Sequence, residues 1–261
     1  MKKYIAIFNI NLLNNLAYPA ELVWRSLGIL LFMYVFTALW RATYSASGQT
    51  SLAGLTLSNT IWYLMLAETI ELSRPRLARK IAQAVKDGSI AYLLSKPYDF
   101  VLYQVSSSLG ETCLNLGMNT LFGSALVWML VGPPPPPAGW LMGFAAVLGA
   151  LAINILINVF IGLLAFVSEE IAPYEWIYQK LVFILGGMLI PLDFYPAWLQ
   201  GIAKQLPFAY AMYAPARLFV SPDWTRFGLT LAGQLAWIVI LAIGLALFYR
   251  WGMRRLSING G

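Results

Sequence analysis

Histidine is absent from these 261 residues, and cysteine occurs once, at Cys113. The first absence removes the commonest zinc ligand and a usual axial ligand of haem, so no metal site is expected. The second excludes an internal disulfide. Charge is scarce as well: Asp, Glu, Lys and Arg together make up 11% of the chain, against about 25% in an ordinary soluble domain. No G-x-x-x-x-G-K-[ST] phosphate loop is present, so no catalytic, cofactor-binding or metal residues are assigned, and any ATP must be handled by another polypeptide. What remains is apolar. Hydrophobic residues form 60% of the chain and the mean hydropathy is +0.70. That composition reads as an all-α integral membrane protein, one bundle over residues 1–261.

Met1-Lys2-Lys3-Tyr4 has the look of a signal peptide's basic end, but Asn9, Asn11, Asn14 and Asn15 interrupt the apolar stretch and no small-residue cleavage site follows. Residues 1–20 read instead as an amphipathic interfacial helix. Ile5, Phe8, Leu12 and Leu16 recur at helical spacing, and the asparagines supply the polar side. Six transmembrane helices are expected, at about 22–40, 55–72, 101–131, 140–167, 174–190 and 227–251. A polar loop covers 41–54, and a short polyproline turn, Pro133 to Pro137, separates the third span from the fourth. Spans three and four exceed the ~20 residues needed to cross, which predicts tilt or projection beyond the headgroups.

The net charge of +6 fits membrane orientation better than nucleic-acid binding. With the N-terminus inside, the inner segments hold Lys2, Lys3, Arg74, Arg76, Arg79, Lys80, Lys86, Lys96, Arg250, Arg254 and Arg255. The outer segments hold only Arg41, Lys204, Arg217 and Arg226. Both termini are therefore expected in the cytoplasm, in a bacterial inner (plasma) membrane.

The densest charge lies between spans two and three. Leu77, Ile81 and Val85 stack at i, i+4 and i+8, while Arg76, Arg79, Lys80, Gln83 and Lys86 point elsewhere. Gly88 is a natural helix stop, Ser89 is a cap for a second turn over Ile90 to Leu94, and Lys96-Pro97 ends it. This cytoplasmic elbow serves either as a mechanical link to a soluble partner or as a helix held on anionic headgroups.

Polar residues recur inside the predicted spans. Gln104, Ser108, Glu111, Asn115 and Asn119 form one stripe of span three, and Asn154 and Asn158 share a face of span four. They line a translocation path or supply interhelical hydrogen bonds. Glu111 is the ionisable member, with Arg25 or Lys180 as possible partners, and a proton-coupled carrier built on Glu111 is the alternative function. Glu68 and Glu71 precede Arg74 and are explained by local pairing. Glu169 and Glu170 are placed at the inner surface, as partner contacts or helix caps.

Between spans five and six, Pro191, Pro196 and Pro207 frame Asp193, Phe194, Tyr195 and Trp198. No uninterrupted helix carries these prolines, so a broken, re-entrant-like segment is expected, covered by protein or a water-lined cavity. Its kinked backbone makes Pro191, Asp193, Tyr195, Pro196, Trp198 and Pro207 candidates for an outer gate. This segment closely resembles the fifth-helix exit loop of permease subunits in the ABC-2 type exporter family. Lys86-Asp-Gly-Ser-Ile-Ala-Tyr-Leu-Leu-Ser-Lys-Pro97 is similar to that family's coupling-helix region. The resemblance covers nearly the whole chain and favours docking over headgroup binding. It implies ATPase-coupling roles for Arg76, Arg79, Lys80, Lys86, Asp87, Gly88, Leu93, Leu94, Lys96 and Pro97. It further implies two copies of a separate ABC ATPase subunit holding ATP and Mg, a second permease (identical or homologous), and contact with membrane lipid. The substrate class it suggests is lipid-like, drug-like or lipid-linked cargo moved outward.

Overall fold

The computed structural model describes the backbone of residues 2–168 and 170–259 and the side chains as far as residue 252. The expectations placed on the side chains of Glu169, Arg254 and Arg255 lie outside the described residues. The chain is 82% helical. In order come α1 (Lys2–Leu16), α2 (Pro19–Ser47), a hairpin of β1 (Ser51–Leu52) and β2 (Leu55–Thr56), and α3 (Leu57–Leu72). The elbow is α4 (Leu77–Lys86) and α5 (Ser89–Leu94), followed by α6 (Phe100–Val131), α7 (Pro137–Leu163) and α8 (Ala172–Leu185). Then come α9 (Ala197–Ala203), α10 (Pro207–Ala211), α11 (Tyr213–Val220) and α12 (Trp224–Asn259).

Local chemistry sets the boundaries. Thr56 caps α3 by accepting the Asn59 N–H at 3.2 Å, and Asp99 caps α6 by accepting the Leu102 N–H at 2.8 Å. Proline occupies the first turn of α2, α7, α8 and α10, where its missing N–H costs nothing. The Ser- and Thr-rich stretch after Arg41, expected as a loop, stays helical up to Ser47, because only Gly48 (φ 65°) supplies the left-handed residue that stops it.

The core lies around α3 and α7. Thr60 through Ile70 are all buried, Glu68 and Thr69 among them, as expected of a helix surrounded on every side by other helices. Gly139 and Gly143 let α7 approach α11 closely: a Cβ on Gly143 would meet Phe219 Cβ at 2.8 Å. Trp62, Trp140 and Phe219 join there, with ring centroids 5.0–6.5 Å apart.

Among the described residues, four helical segments are long and apolar enough to cross a membrane: Pro19–Ser47, Phe100–Val131, Pro137–Phe166 and Trp224–Gly252. The molecule is thus a multi-pass membrane protein. The second and fifth expected spans differ from the other four. At 16 and 14 residues, α3 and α8 reach only about 24 and 21 Å at 1.5 Å per residue, short of a ~30 Å hydrocarbon core. The fifth was expected to continue to Ile190, but α8 ends at Leu185, before Gly186 and Gly187 (φ 68°).

The face of α1 also differs from expectation. Phe8 and Leu12 pack toward α6, but Ile5 and Leu16 are 58% and 48% exposed. Asn11 and Asn15 sit on the packed side instead, donating to the carbonyls of Ile7 and Asn11. A Cβ on Gly110 would lie 2.8 Å from the Leu12 backbone nitrogen, so glycine is what admits α1 to this contact.

Candidate functional site

The elbow is built on α7. Leu77, Ala78, Ile81 and Ala82 are buried, and Gly162 admits them: a Cβ there would stand 2.8 Å from Ile81 Cβ and 3.0 Å from the Ala78 carbonyl oxygen. The apolar face of α4 therefore rests on its own protein. Its basic face is also largely engaged. Arg79 pairs with Glu175 at 2.9 Å, Lys80 approaches Glu111 at 3.5 Å, and Lys86 pairs with Glu170 at 2.5 Å. Gly88 takes φ 75° and is itself the cap of α5, so Ser89 does not cap. Ser89 instead donates its N–H to Asp87 Oδ1 at 3.0 Å; the Ser89 side chain first, and this N–H second, hold the Asp87 carboxyl below its usual pKa. Leu93 and Leu94 are half-buried, Tyr92 is exposed with Lys96 4.1 Å from its ring centroid, and the Pro97 carbonyl accepts from Lys3.

Inside this end of the bundle, the stripe of α6 faces protein: Gln104, Ser108 and Asn119 are buried. Glu111 accepts from Arg25 at 2.6 Å, and Arg25 also pairs with Glu21 at 2.6 Å. Lys180, the other anticipated partner, instead lies beside the rings of Trp176 and Phe183. A cavity of about 190 Å³ lies beside these groups, lined by Arg25, Arg74, Arg76, Glu111, Asn115 and Asn119 among others.

The two polar stripes do not meet directly. They are joined through the end of α3, where Asn119 donates to Ser73 Oγ at 3.2 Å and the next residue, Arg74, pairs with Glu71 at 3.0 Å. The Arg74 guanidinium stands 5.0 Å from the Tyr178 ring centroid, and the Tyr178 hydroxyl donates to Asn154 Oδ1. Asn158 donates to the Asn154 carbonyl, and both asparagines are buried. Sequence reasoning missed Tyr178 because a tyrosine in an apolar span carries no signal of what it bonds.

Beyond α8 the chain runs in short helical pieces until α12 begins at Trp224. Phe208 of α10 lies 6.1 Å from the Tyr178 ring, and Tyr63 donates to the Gly187 carbonyl at 2.7 Å. Asp193 accepts from Tyr213 at 3.0 Å and pairs with Arg217 at 3.2 Å. Gln200 ties the turn by donating to the Tyr195 carbonyl at 2.8 Å. Pro191 and Pro207 are buried, while Pro196 and Trp198 are exposed. Gln234 of α12 also went unmarked in the sequence. It donates to the Ala146 carbonyl at 2.8 Å and the Tyr210 carbonyl at 3.0 Å, fastening α12 to α7 and to α10.

Long apolar helices enclosing a polar network, with a charged elbow at one end and broken backbone at the other, define a polytopic membrane protein. Residues 22–260 match the family model described as ABC-2 family transporter protein. The chain belongs to that family, and its role is that of a membrane transport component. A comparison with curated proteins returned no match.

Proposed function

We propose that this chain is the permease subunit of an ATP-driven ABC-2 type exporter, half of a permease dimer working with two separate ATPase subunits that hold ATP and Mg. The observation that carries this reading is the docking of α4 on α7 through Gly162. A push on the elbow is thereby transmitted to a helix that also contacts α11 and α12. Six membrane segments are proposed, α2, α3, α6, α7, α8 and α12, with both termini in the cytoplasm of a bacterial inner membrane. The short α3 and α8 fit because protein surrounds the former and the re-entrant segment continues the latter.

On this reading Arg79, Lys80 and Lys86 stiffen the elbow through their own acids. The ATPase then meets Arg76, Asp87, Gly88, Leu93, Leu94, Lys96 and Pro97. Movement passes through Arg74 and Tyr178 to Phe208 and the outer gate, and cargo of lipid-like, drug-like or lipid-linked type leaves there. The proton-coupled alternative is not favoured, because Glu111 is engaged by Arg25 and Lys80 rather than standing as an isolated acid.

The test is affinity purification of the tagged chain from its host in mild detergent, with mass spectrometry and a vanadate-sensitive ATPase assay. Recovery of a Walker-containing subunit, lost in Leu93→Asp/Leu94→Asp, is the expected result. Clean recovery of the chain alone, without ATPase activity, would overturn the proposal.

A further inference from the structure

Three of the four cations expected in the outer segments line one cavity. Lys204, Arg217 and Arg226 converge there on a volume of about 350 Å³, within the ~300–1,000 Å³ of small-molecule pockets. Arg41, the fourth, is engaged elsewhere and donates to the Leu130 carbonyl. The cavity lies far along α7 from the elbow. Gln234, one turn beyond Thr230 of the cavity wall, bonds the Ala146 carbonyl, whereas the elbow sits at Gly162. The step from 146 to 162 is about 24 Å along the helix at 1.5 Å per residue.

The charges in this cavity do not cancel within the protein. Asp193 is the one acid on its wall among the described residues, and Arg217 at 3.2 Å and Tyr213 at 3.0 Å already engage it. Lys204 donates to the neutral Gln200 Oε1 at 2.7 Å and has no acid partner among the described residues. Arg226 is exposed, and its guanidinium makes neither an ion pair nor a hydrogen bond among the described residues. Asp223, its nearest acid in sequence, accepts the Arg226 backbone N–H at 2.7 Å instead. Two cations are left over. Beside them the Tyr210 and Thr230 hydroxyls have no hydrogen-bond partner among the described residues, and neither is shut away from the cavity.

Two uncompensated cations and two hydroxyl donors suit an anion with several oxygens. A small soluble anion would leave the apolar side of the cavity bare. That side includes Leu218 and Leu229, and Leu229 is 67% exposed on α12, a membrane-crossing helix with little of its apolar stretch buried. A headgroup on Arg226 therefore has a path for its chain along Leu229 into the bilayer. We propose that the cavity between α10, α11 and the start of α12 binds an acidic amphiphile, with its headgroup on Arg226 and Lys204 and its chain along Leu229. The inference gives the cargo of the proposed exporter a charge and rests on that reading for transport alone; binding itself needs no ATPase.

The test is native mass spectrometry of the purified chain, without any partner, titrated with dioleoyl phosphatidylglycerol. Dioleoyl phosphatidylcholine, which has the same chains and a phosphate but no net charge, is the comparison. Phosphatidylglycerol should be retained about tenfold more tightly, the effect of one charge-assisted contact. Arg226→Gln should remove most of that preference, and the double variant with Lys204→Gln should abolish it. The Arg226 side chain is exposed and unpaired, so its substitution leaves the fold intact. Lys180→Gln, which removes a cation elsewhere, should change nothing. Glycerol phosphate, which offers the charge without the chains, should not displace the lipid at equal concentration. Equal retention of the two lipids, an unchanged preference in both cavity variants, an equal loss in Lys180→Gln, or displacement by glycerol phosphate would each overturn the proposal. An ATPase missing from the co-purification would instead overturn the permease reading and leave lipid binding standing.

Discussion

The guanidinium of Arg74 lies over the ring of Tyr178 at 5.0 Å, and the same ring lies 6.1 Å from Phe208. One side chain therefore links the base of the elbow to α10. Tyr178→Leu removes the cation–π contact, the hydrogen bond to Asn154 and ring volume, and should lower stability by about 2–4 kcal/mol. Tyr178→Phe keeps the ring and loses the hydroxyl alone, at a cost of about 0.6–1.5 kcal/mol. Equilibrium unfolding in mixed detergent micelles measures both. Similar losses in the two variants would show that the hydroxyl, not the ring, makes the link.

Gly162 is where the elbow meets the bundle. Because the Ala78 backbone stands 3.0 Å from the position of a new Cβ, Gly162→Ala must displace α4, at about 1–3 kcal/mol. Recovery of an ATPase with the tagged chain should fall by roughly fivefold or more. Gly117→Ala is the control. Nothing lies within 4 Å of a Cβ there, and alanine should stabilise α6 by up to about 1 kcal/mol. Equal recovery from both variants would separate elbow position from partner binding.

Much of this arrangement was legible in the sequence because it rests on local chemistry. Gly88 and the spacing of Leu77 and Ile81 announced two short helices, and the prolines at 191, 196 and 207 announced broken backbone. The acids that engage the elbow were not legible. Glu111, Glu170 and Glu175 lie 31, 84 and 96 positions from Lys80, Lys86 and Arg79, and no local periodicity connects them. The face of α1 was misjudged for a related reason. Asn11 and Asn15 satisfy their own helix's carbonyls, so they pack against α6 at little polar cost, and side-chain polarity alone pointed to the wrong side.

The turn between α4 and α5 should respond to acid. The Ser89 side chain and then its N–H stabilise the Asp87 carboxylate, so the folded pKa lies below the ordinary value of about 3.9. A depressed carboxylate pKa contributes stability that is fully present above that ordinary value and lost as pH falls through the folded one. Hydrogen-exchange protection at Ser89, corrected for the intrinsic rate, should therefore decline below about pH 4. Asp87→Asn keeps an acceptor oxygen without the charge and should show a flat profile. A decline of the same size in Asp87→Asn would assign the effect to another group.

Asp193 and Arg217 hold the proline-broken segment after α8 against α11. Their side chains are 16% and 13% exposed, with Nε and Oδ2 3.2 Å apart, and Asp193 also accepts from Tyr213. If Asp193 acted only in the outer gate proposed for it, Asp193→Ala would alter transport more than assembly. The pair's burial points the other way, since removing one partner strands a largely buried guanidinium at a cost of about 3–5 kcal/mol. Replacing both with apolar residues of similar size, Asp193→Leu/Arg217→Met, leaves no stranded charge and should recover most of that loss. The comparison decides what the pair is for. If the double variant folds as well as the parent yet no longer transports, the ion pair belongs to gating. If it folds and transports normally, the pair serves only to place Pro196 and Trp198, and the gate lies in the backbone around Gly187.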